Sequence, residues 1–125
     1  MYKLVIKTQF SAAHRLRGYQ GKCENLHGHN WKVEVEIASE RLDDLGLVID
    51  FKELKQRVGN VLEELDHQFL NELPPFQDLN PSSENISRHI FDRLCEELIE
   101  PHLQVNQVAV WESDNAGTIY SRKPL

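Results

Sequence analysis

Two long stretches of alternating apolar and polar residues constrain the fold of this chain most. Residues 2–14 alternate with a single exception, and residues 27–38 alternate more cleanly. Side chains two residues apart in a strand point to the same side of a sheet, so each stretch predicts a half-buried strand. Three histidines share the apolar phase: His14 ends the first stretch, and His27 and His29 begin the second.

Antiparallel pairing of these two strands would bring the three histidines together. The end of the first strand would lie beside the start of the second, with the imidazoles at one rim of the sheet. A single histidine on a strand is more often a packed core residue, so the prediction depends on this convergence. Three nitrogen ligands and one open position are typical of a catalytic zinc ion, although imidazole also suits copper, iron and nickel. The pattern therefore favours an enzyme with a metal centre.

The rest of the chain predicts two helices followed by two strands. Apolar residues recur at helical spacing in two segments, and short alternating runs follow them. The order ββααββ indicates an α+β fold in which two helices cover one face of a four-stranded antiparallel sheet. The two open edges of such a sheet favour oligomerisation by sheet extension. The predicted elements are a helix from Asp50 to Asp66–His67, a helix from Asn80–Ser83 to Pro101, and strands over 104–112 and 118–121.

Size and composition limit the class of protein. With 125 residues, the chain is expected to form one domain over residues 1–125. A net charge of −6 argues against nonspecific nucleic-acid binding, and no apolar run reaches the length of a membrane span. The two cysteines, Cys23 and Cys95, give no sign of an oxidising compartment. We therefore expect a cytoplasmic protein whose partners include neither nucleic acid nor a membrane.

The two thiols differ in their surroundings. Cys95 lies in the apolar stripe of the second predicted helix, which favours a buried and inert thiol. Cys23 lies in a polar loop, four residues before His27. Beside a bound cation its thiol would ionise more easily and could act as a base or a nucleophile. A surface thiol and a fourth ligand in a closed structural site are the alternatives.

Three further residues are candidates for acid–base chemistry or binding. Asp66 could orient the imidazole of His67 for proton relay, or the two could form a solvated helix end. Glu112 is in phase with the apolar residues of the third predicted strand, so its carboxylate is expected to point toward the buried face. A heterocycle with paired N–H donors would satisfy such a carboxylate, and water at the end of the strand is the alternative.

Five short motifs are spread over the whole chain: Phe10–His14, Cys23–His29, Leu65–His67, Asn80–Glu84 and Trp111–Ser113. Each motif alone is unspecific. Together they resemble the family that contains 6-pyruvoyltetrahydropterin synthase and 6-carboxytetrahydropterin synthase. The three residues between Cys23 and His27 are similar to the 6-carboxytetrahydropterin synthase branch, which serves queuosine biosynthesis, whereas the pyruvoyl branch has a longer gap.

The resemblance implies a fold, an assembly and a set of site residues. The fold would be the tunnelling fold (T-fold), whose subunits join into a barrel of trimers, usually two of them stacked as a homohexamer. The active sites would lie at subunit interfaces. The implied roles are zinc ligation by His14, His27 and His29, proton abstraction by Cys23 with help from His67 and Asp66, anchoring of the pterin ring by Glu112, and contact with the pterin by Ser82 and Ser83.

The implied reaction converts 7,8-dihydroneopterin triphosphate to 6-carboxy-5,6,7,8-tetrahydropterin, acetaldehyde and triphosphate. The enzyme would be a zinc-dependent carbon–carbon lyase that needs no redox cofactor. A related activity, that of 6-pyruvoyltetrahydropterin synthase, eliminates triphosphate without cleaving a carbon–carbon bond. From the residues alone, a zinc-stabilised binding module and a zinc hydrolase remain alternatives.

Overall fold

The computed structural model describes residues 1–21 and 25–123. The strands are β1 Tyr2–His14, β2 His27–Ser39, β3 Gln68–Phe69, β4 Gln104–Trp111 and β5 Gly117–Tyr120, and the helices are α1 Phe51–Glu63 and α2 Ser83–Glu97. Two short 3-10 turns connect β3 to α2. The predicted α+β fold is confirmed, and so are the two helices and the four strands that the alternation and spacing indicate.

The five strands form one sheet in the order β3-β1-β2-β4-β5. The pairs β1–β2, β2–β4 and β4–β5 are antiparallel. β1 and β2 pair over their full length, which places His14 opposite His27 and Ala12 opposite His29. The antiparallel pairing that the histidine prediction requires is therefore present.

A fifth strand corrects the predicted four-stranded sheet. β3 has two residues and runs parallel to β1, with Gln68–Phe69 beside Ala12–Ala13. The preceding residue, His67, has a left-handed φ of 58°, and its backbone N–H donates to the Ser11 carbonyl at 2.6 Å. This turn redirects the chain along β1 after α1 has ended. Two residues are too few to show a period of two, so alternation could not reveal β3.

The core lies between the two helices and the inner face of the sheet. Alternate residues of β2 are buried, and each helix buries one stripe of apolar side chains. Apolar surface removed from water in this way stabilises the fold by about 25 cal/mol per Å². The central residues of the core are Trp31, Val33, Val35, Ile37, Leu54, Val58, Ile86, Ile90 and Leu94.

Both edges of the sheet offer unpaired strand backbone. β3 covers the end of β1, so residues 2–10 of β1 face no other strand of the described chain on that side. At the opposite edge, β5 has four residues and pairs with β4 from Val108 to Trp111. Within residues 1–21 and 25–123, neither helix has the length and hydrophobicity that crossing a membrane requires.

Candidate metal centre and active site

Four side chains meet at one rim of the sheet: those of His14, His27, His29 and Glu112. One nitrogen or oxygen atom from each lies within 4.8 Å of those of the others. The histidines come from the end of β1 and the start of β2, which pair directly. Glu112 follows the last residue of β4, and β4 pairs with β2 near the same rim. Strand pairing alone therefore brings together residues that are up to 98 positions apart in the sequence, from 14 to 112.

Hydrogen bonds to the backbone fix the orientation of two imidazole rings. Nδ1 of His14 donates to the Pro81 carbonyl at 2.7 Å, and Nδ1 of His27 donates to the Asn25 carbonyl at 2.7 Å. Because a carbonyl can only accept, each Nδ1 carries the ring proton, and each Nε2 of a neutral ring presents its lone pair. A histidine that binds a metal commonly donates its other N–H in this way.

The two Nε2 atoms face each other at a distance of 3.0 Å. Two lone pairs at that separation repel unless a proton or a metal ion lies between them. Burial lowers the pKa of His14, and the nearby imidazoles of His27 and His29 lower it further, against the opposing effects of the Pro81 carbonyl and Glu112. Burial thus works against a proton on the His14 ring. Two nitrogens bound to one tetrahedral zinc ion would be about 3.3 Å apart, close to the spacing observed.

His29 adds a third nitrogen to this arrangement. Its Nε2 atom is buried and forms no hydrogen bond with the described residues. Burial also lowers the pKa of His29, although the carboxylate of Glu112 opposes the shift. A neutral imidazole is the form that binds metals. A buried nitrogen without a hydrogen-bond partner has the properties of a ligand atom, so the cluster can hold a metal ion.

Glu112 lies closer to the imidazoles than its predicted role required. Its Oε1 atom is 2.9 Å from Nε2 of His29, 3.4 Å from Nε2 of His14 and 3.8 Å from Nε2 of His27. The shortest of these contacts does not have the geometry of a hydrogen bond. The sequence correctly placed this carboxylate on the inner face, but it gave no sign that β4 lies next to β2. The order of the strands is what positions Glu112 with the histidines.

Trp31 packs against two histidines of the cluster. Its fully buried ring packs edge-on against His14, with ring centroids 4.8 Å apart, and against His29 at 5.2 Å. Its indole N–H donates to the Ala12 carbonyl at 3.3 Å. Because His29 and Trp31 are two residues apart on β2, they lie on the same face, and the indole restricts the rotation of both imidazoles.

Asp66 and His67 form a pair at the edge of β1. Oδ1 of Asp66 accepts the Ser11 N–H at 2.9 Å, and Oδ2 lies 3.0 Å from Nδ1 of His67. The pKa of Asp66 is lowered, first by the Ser11 N–H and to a smaller extent by His67. The pair predicted from the sequence is thus in contact, with the carboxylate orienting the imidazole. However, the His67 side chain is 81% exposed and is not a member of the four-residue cluster.

The remaining candidate residues have other surroundings. Ser82 caps α2, and its Oγ accepts the Asn85 N–H at 3.2 Å. Oγ of Ser83 lies 2.8 Å from Oγ1 of Thr118, which links α2 to β5. Cys23 lies outside the described residues. On α2, burial raises the pKa of the half-buried Cys95 thiol, in agreement with the inert role expected for it.

Comparisons with known proteins agree with the family resemblance over nearly the whole chain. Residues 3–123 match the sequence model of the 6-pyruvoyl tetrahydropterin synthase family. An Archaeoglobus fulgidus protein named as a candidate 6-carboxy-5,6,7,8-tetrahydropterin synthase is 46% identical over 110 residues, which is 88% of this chain and 87% of the relative. The 6-pyruvoyl tetrahydrobiopterin synthase of Dictyostelium discoideum is 32% identical and covers 96% of this chain and 98% of its own length.

The fold has a close counterpart among solved structures. The 6-pyruvoyl tetrahydropterin synthase of Caenorhabditis elegans superposes with a TM-score of 0.88 at 27% identity, covering 98% of this chain and 96% of its own. The sheet with two helices on one face is therefore the T-fold that the sequence motifs predicted. With its strand order, its cluster of three histidines and its match over nearly every residue, the chain belongs to the 6-pyruvoyl tetrahydropterin synthase family.

Proposed function

We propose that this protein is a zinc-dependent 6-carboxy-5,6,7,8-tetrahydropterin synthase. It would convert 7,8-dihydroneopterin triphosphate and one molecule of water to 6-carboxytetrahydropterin, acetaldehyde and triphosphate, as a step of queuosine (7-deazaguanine) biosynthesis for tRNA modification. The names of several relatives support this assignment, including that of the Haemophilus influenzae protein at 34% identity over 90% of this chain. The short gap between Cys23 and His27 supports the same branch of the family.

The observation that carries the proposal is the contact between two imidazole nitrogens. Nε2 of His14 and Nε2 of His27 lie 3.0 Å apart while both Nδ1 atoms are hydrogen-bonded to carbonyls. Together with the buried Nε2 of His29, this nitrogen-rich set of donors suits zinc. When bound, zinc would supply Lewis-acid chemistry that acidifies hydroxyl and C–H groups of a substrate side chain.

The protein's own residues would bind the substrate and move protons. Cys23 would act as a thiolate and accept a proton from the substrate. His67, held at Nδ1 by Asp66, would keep the thiol ready for this step. The carboxylate of Glu112 would accept hydrogen bonds from N–H groups of the pterin ring and so hold the reacting carbon near the thiolate. Ser82 and Ser83 would lie at the side of the pterin.

A complete site would need more than one subunit. The Asp66–His67 pair contacts Ser11, where the open edge of β1 ends, and its exposed imidazole is not part of the histidine cluster at the rim. A neighbouring copy that extends the sheet at this edge would cover the imidazole and enclose a substrate. We therefore propose a cytoplasmic trimer or dimer of trimers whose substrate is a small pterin triphosphate.

Analysis of the products tests the assignment. Purified protein incubated with zinc and 7,8-dihydroneopterin triphosphate is expected to release acetaldehyde in a one-to-one ratio with 6-carboxytetrahydropterin. The competing candidate is 6-pyruvoyltetrahydropterin synthase, which the name of the Dictyostelium relative favours. Release of triphosphate with a pyruvoyl product and without acetaldehyde would replace the proposal by that activity.

Replacing Glu112 by glutamine is expected to weaken pterin binding and to leave the zinc content unchanged. The amide keeps the shape of the side chain but loses the charge, and a hydrogen bond to a charged group contributes roughly 1.5–3 kcal/mol. We expect kcat/KM to fall by about 10–100-fold, with reduced affinity for the pterin product measured by fluorescence quenching.

Asp114→Asn is a matched control for the Glu112 variant. Asp114 lies in the same turn, but its exposed carboxylate pairs with Lys32 at 2.8 Å. Its loss is expected to leave kcat/KM unchanged, because an exposed ion pair contributes little. If Glu112→Gln instead lost zinc and bound the pterin product normally, Glu112 would be a metal ligand and not the pterin anchor.

A further inference from the structure

The orientation of one proposed metal ligand depends on a single backbone carbonyl. Nδ1 of His14 donates to the carbonyl of Pro81 in a buried hydrogen bond of 2.7 Å. Pro81 is itself buried and immediately precedes Ser82, the cap of α2. A shift of this carbonyl would leave the ring proton of His14 without its acceptor and would free the ring to turn. Whatever fixes Pro81 therefore acts on His14.

Two asparagine side chains extend the strand pairing beyond the end of β1. Oδ1 of Asn71 accepts the Arg15 N–H at 2.9 Å, and its Nδ2 donates to the Arg15 carbonyl at 3.0 Å. Asn80 makes the same two bonds with Arg17, two residues after Arg15: its Oδ1 accepts the Arg17 N–H at 2.9 Å, and its Nδ2 donates to the Arg17 carbonyl at 3.0 Å. Each side chain thus replaces the hydrogen bonds of a neighbouring strand.

The two asparagines differ in their distance from Pro81 along the chain. Asn80 is bonded directly to Pro81, and its own carbonyl accepts from Nδ2 of Asn85 at 2.9 Å. On the other side of Pro81, Ser82 accepts the Asn85 N–H through Oγ. Pro81 is therefore held between two fixed residues. Asn71 lies nine positions before Asn80 and is separated from Pro81 by a 3-10 turn.

Arg17 holds the segment between the two asparagines in place. Its guanidinium donates to the carbonyls of Asn71 at 3.3 Å, Phe76 at 2.5 Å and Leu79 at 3.5 Å. The main chain of Arg17 meets Asn80, and its side chain meets the loop that leads to Asn80. The chain after His14 and the chain before α2 consequently form one connected unit around the Pro81 carbonyl.

We propose that Asn80 is a positioning residue for the metal centre, because it fixes the Pro81 carbonyl that sets the ring orientation and the proton position of His14. The inference rests on the proposed function, in which His14 binds zinc. Hydrogen-bond partners of metal-binding histidines typically affect metal affinity by 10–100-fold. Asn80 does not contact His14 but is covalently bonded to Pro81, whose carbonyl accepts the hydrogen bond from His14. Its effect is transmitted through a proline, whose φ is nearly fixed.

The test compares zinc affinity in Asn80→Ala and Asn71→Ala, measured by competition with a chromogenic chelator. Both variants lose two hydrogen bonds to the same segment, so both are expected to lower the urea midpoint of the metal-free protein by a similar amount. Zinc affinity is expected to fall about 10-fold or more in Asn80→Ala and to change less than about threefold in Asn71→Ala. Equal losses in both variants, or no loss in either, would overturn the inference.

Two further measurements keep the result interpretable. If the wild-type protein binds no zinc, the proposed function fails before the variants are compared. If Asn80→Ala does not fold, Asn85→Ala removes the bond to the Asn80 carbonyl while the backbone N–H of Asn85 keeps its bond to Ser82. A severalfold loss of zinc affinity is then expected, and an unchanged affinity would overturn the inference.

Discussion

Cys23→Ala is expected to lower kcat by about 10²–10⁴-fold, the usual contribution of a group that transfers a proton in the transition state. Zinc content, circular dichroism and oligomeric state are expected to stay at wild-type values. The physical reason is that three histidines already provide the proposed ligands, so the proposed function does not need the Cys23 thiol as a ligand and assigns it to proton transfer. The loss should appear in kcat and to a smaller extent in KM, since Glu112 would still bind the pterin ring.

A cysteine elsewhere in the chain provides the control. Cys95 lies on α2, half-buried, and burial raises the pKa of its thiol. Cys95→Ala is expected to keep wild-type turnover. Alkylation with iodoacetamide should abolish turnover, and it should do so at the same rate in the wild-type protein and in Cys95→Ala. If Cys23→Ala unfolded or lost its zinc, Cys23 would be a metal ligand, and the protein would be a zinc-stabilised module in place of a lyase.

The two long strands could be predicted because the alternation of apolar and polar residues repeats over their whole length. The alternation predicts β1 over residues 2–14, where it is found, and β2 over 27–38, which extends by one residue to Ser39. Alternation does not determine which strands pair, but antiparallel pairing of these two neighbours in sequence is enough to place His14 opposite His27, and the structure has that pairing. The convergence of the histidines thus follows from the local pattern together with that pairing.

The features that could not be predicted depend on contacts that leave no periodic pattern in the sequence. β3 exists because His67 adopts a left-handed conformation, which the pattern around residue 67 does not indicate. Glu112 joins the histidines because β4 lies beside β2, a matter of strand order. Asn71 and Asn80 bind the backbone through their side chains, and such contacts leave no regular spacing in the sequence. Each of these features depends on tertiary contacts that no regular spacing in the sequence indicates.

His29→Ala is expected to remove most of the metal affinity without unfolding the protein. Nε2 of His29 is buried and has no hydrogen bond within the described residues, so the imidazole gains a partner when metal binds. Loss of a direct ligand should weaken zinc binding by more than the roughly 10–100-fold cost of losing an outer partner. An unpaired buried polar group costs about 1–3 kcal/mol, so its removal offsets part of the lost packing against Trp31.

Thermal unfolding with and without zinc measures both effects. At a free zinc concentration about 1,000-fold above Kd, binding stabilises the wild-type protein by about 4 kcal/mol. For a domain of this size that corresponds to a rise in Tm of roughly 10–20 °C. His29→Ala should show the wild-type Tm within a few degrees when zinc is absent and a much smaller rise when zinc is added.

The matched control is His102→Ala. The ring of His102 contacts the Val48 carbonyl at 3.2 Å and is not a member of the cluster, so the zinc-dependent rise should remain complete. A His29→Ala protein that kept the wild-type rise would place the metal elsewhere. A metal-free His29→Ala protein that failed to fold would make the imidazole a core residue. Retained folding with a lost response to zinc is the result that only a ligand explains, because the other contacts of His29 stabilise the fold whether or not metal is bound.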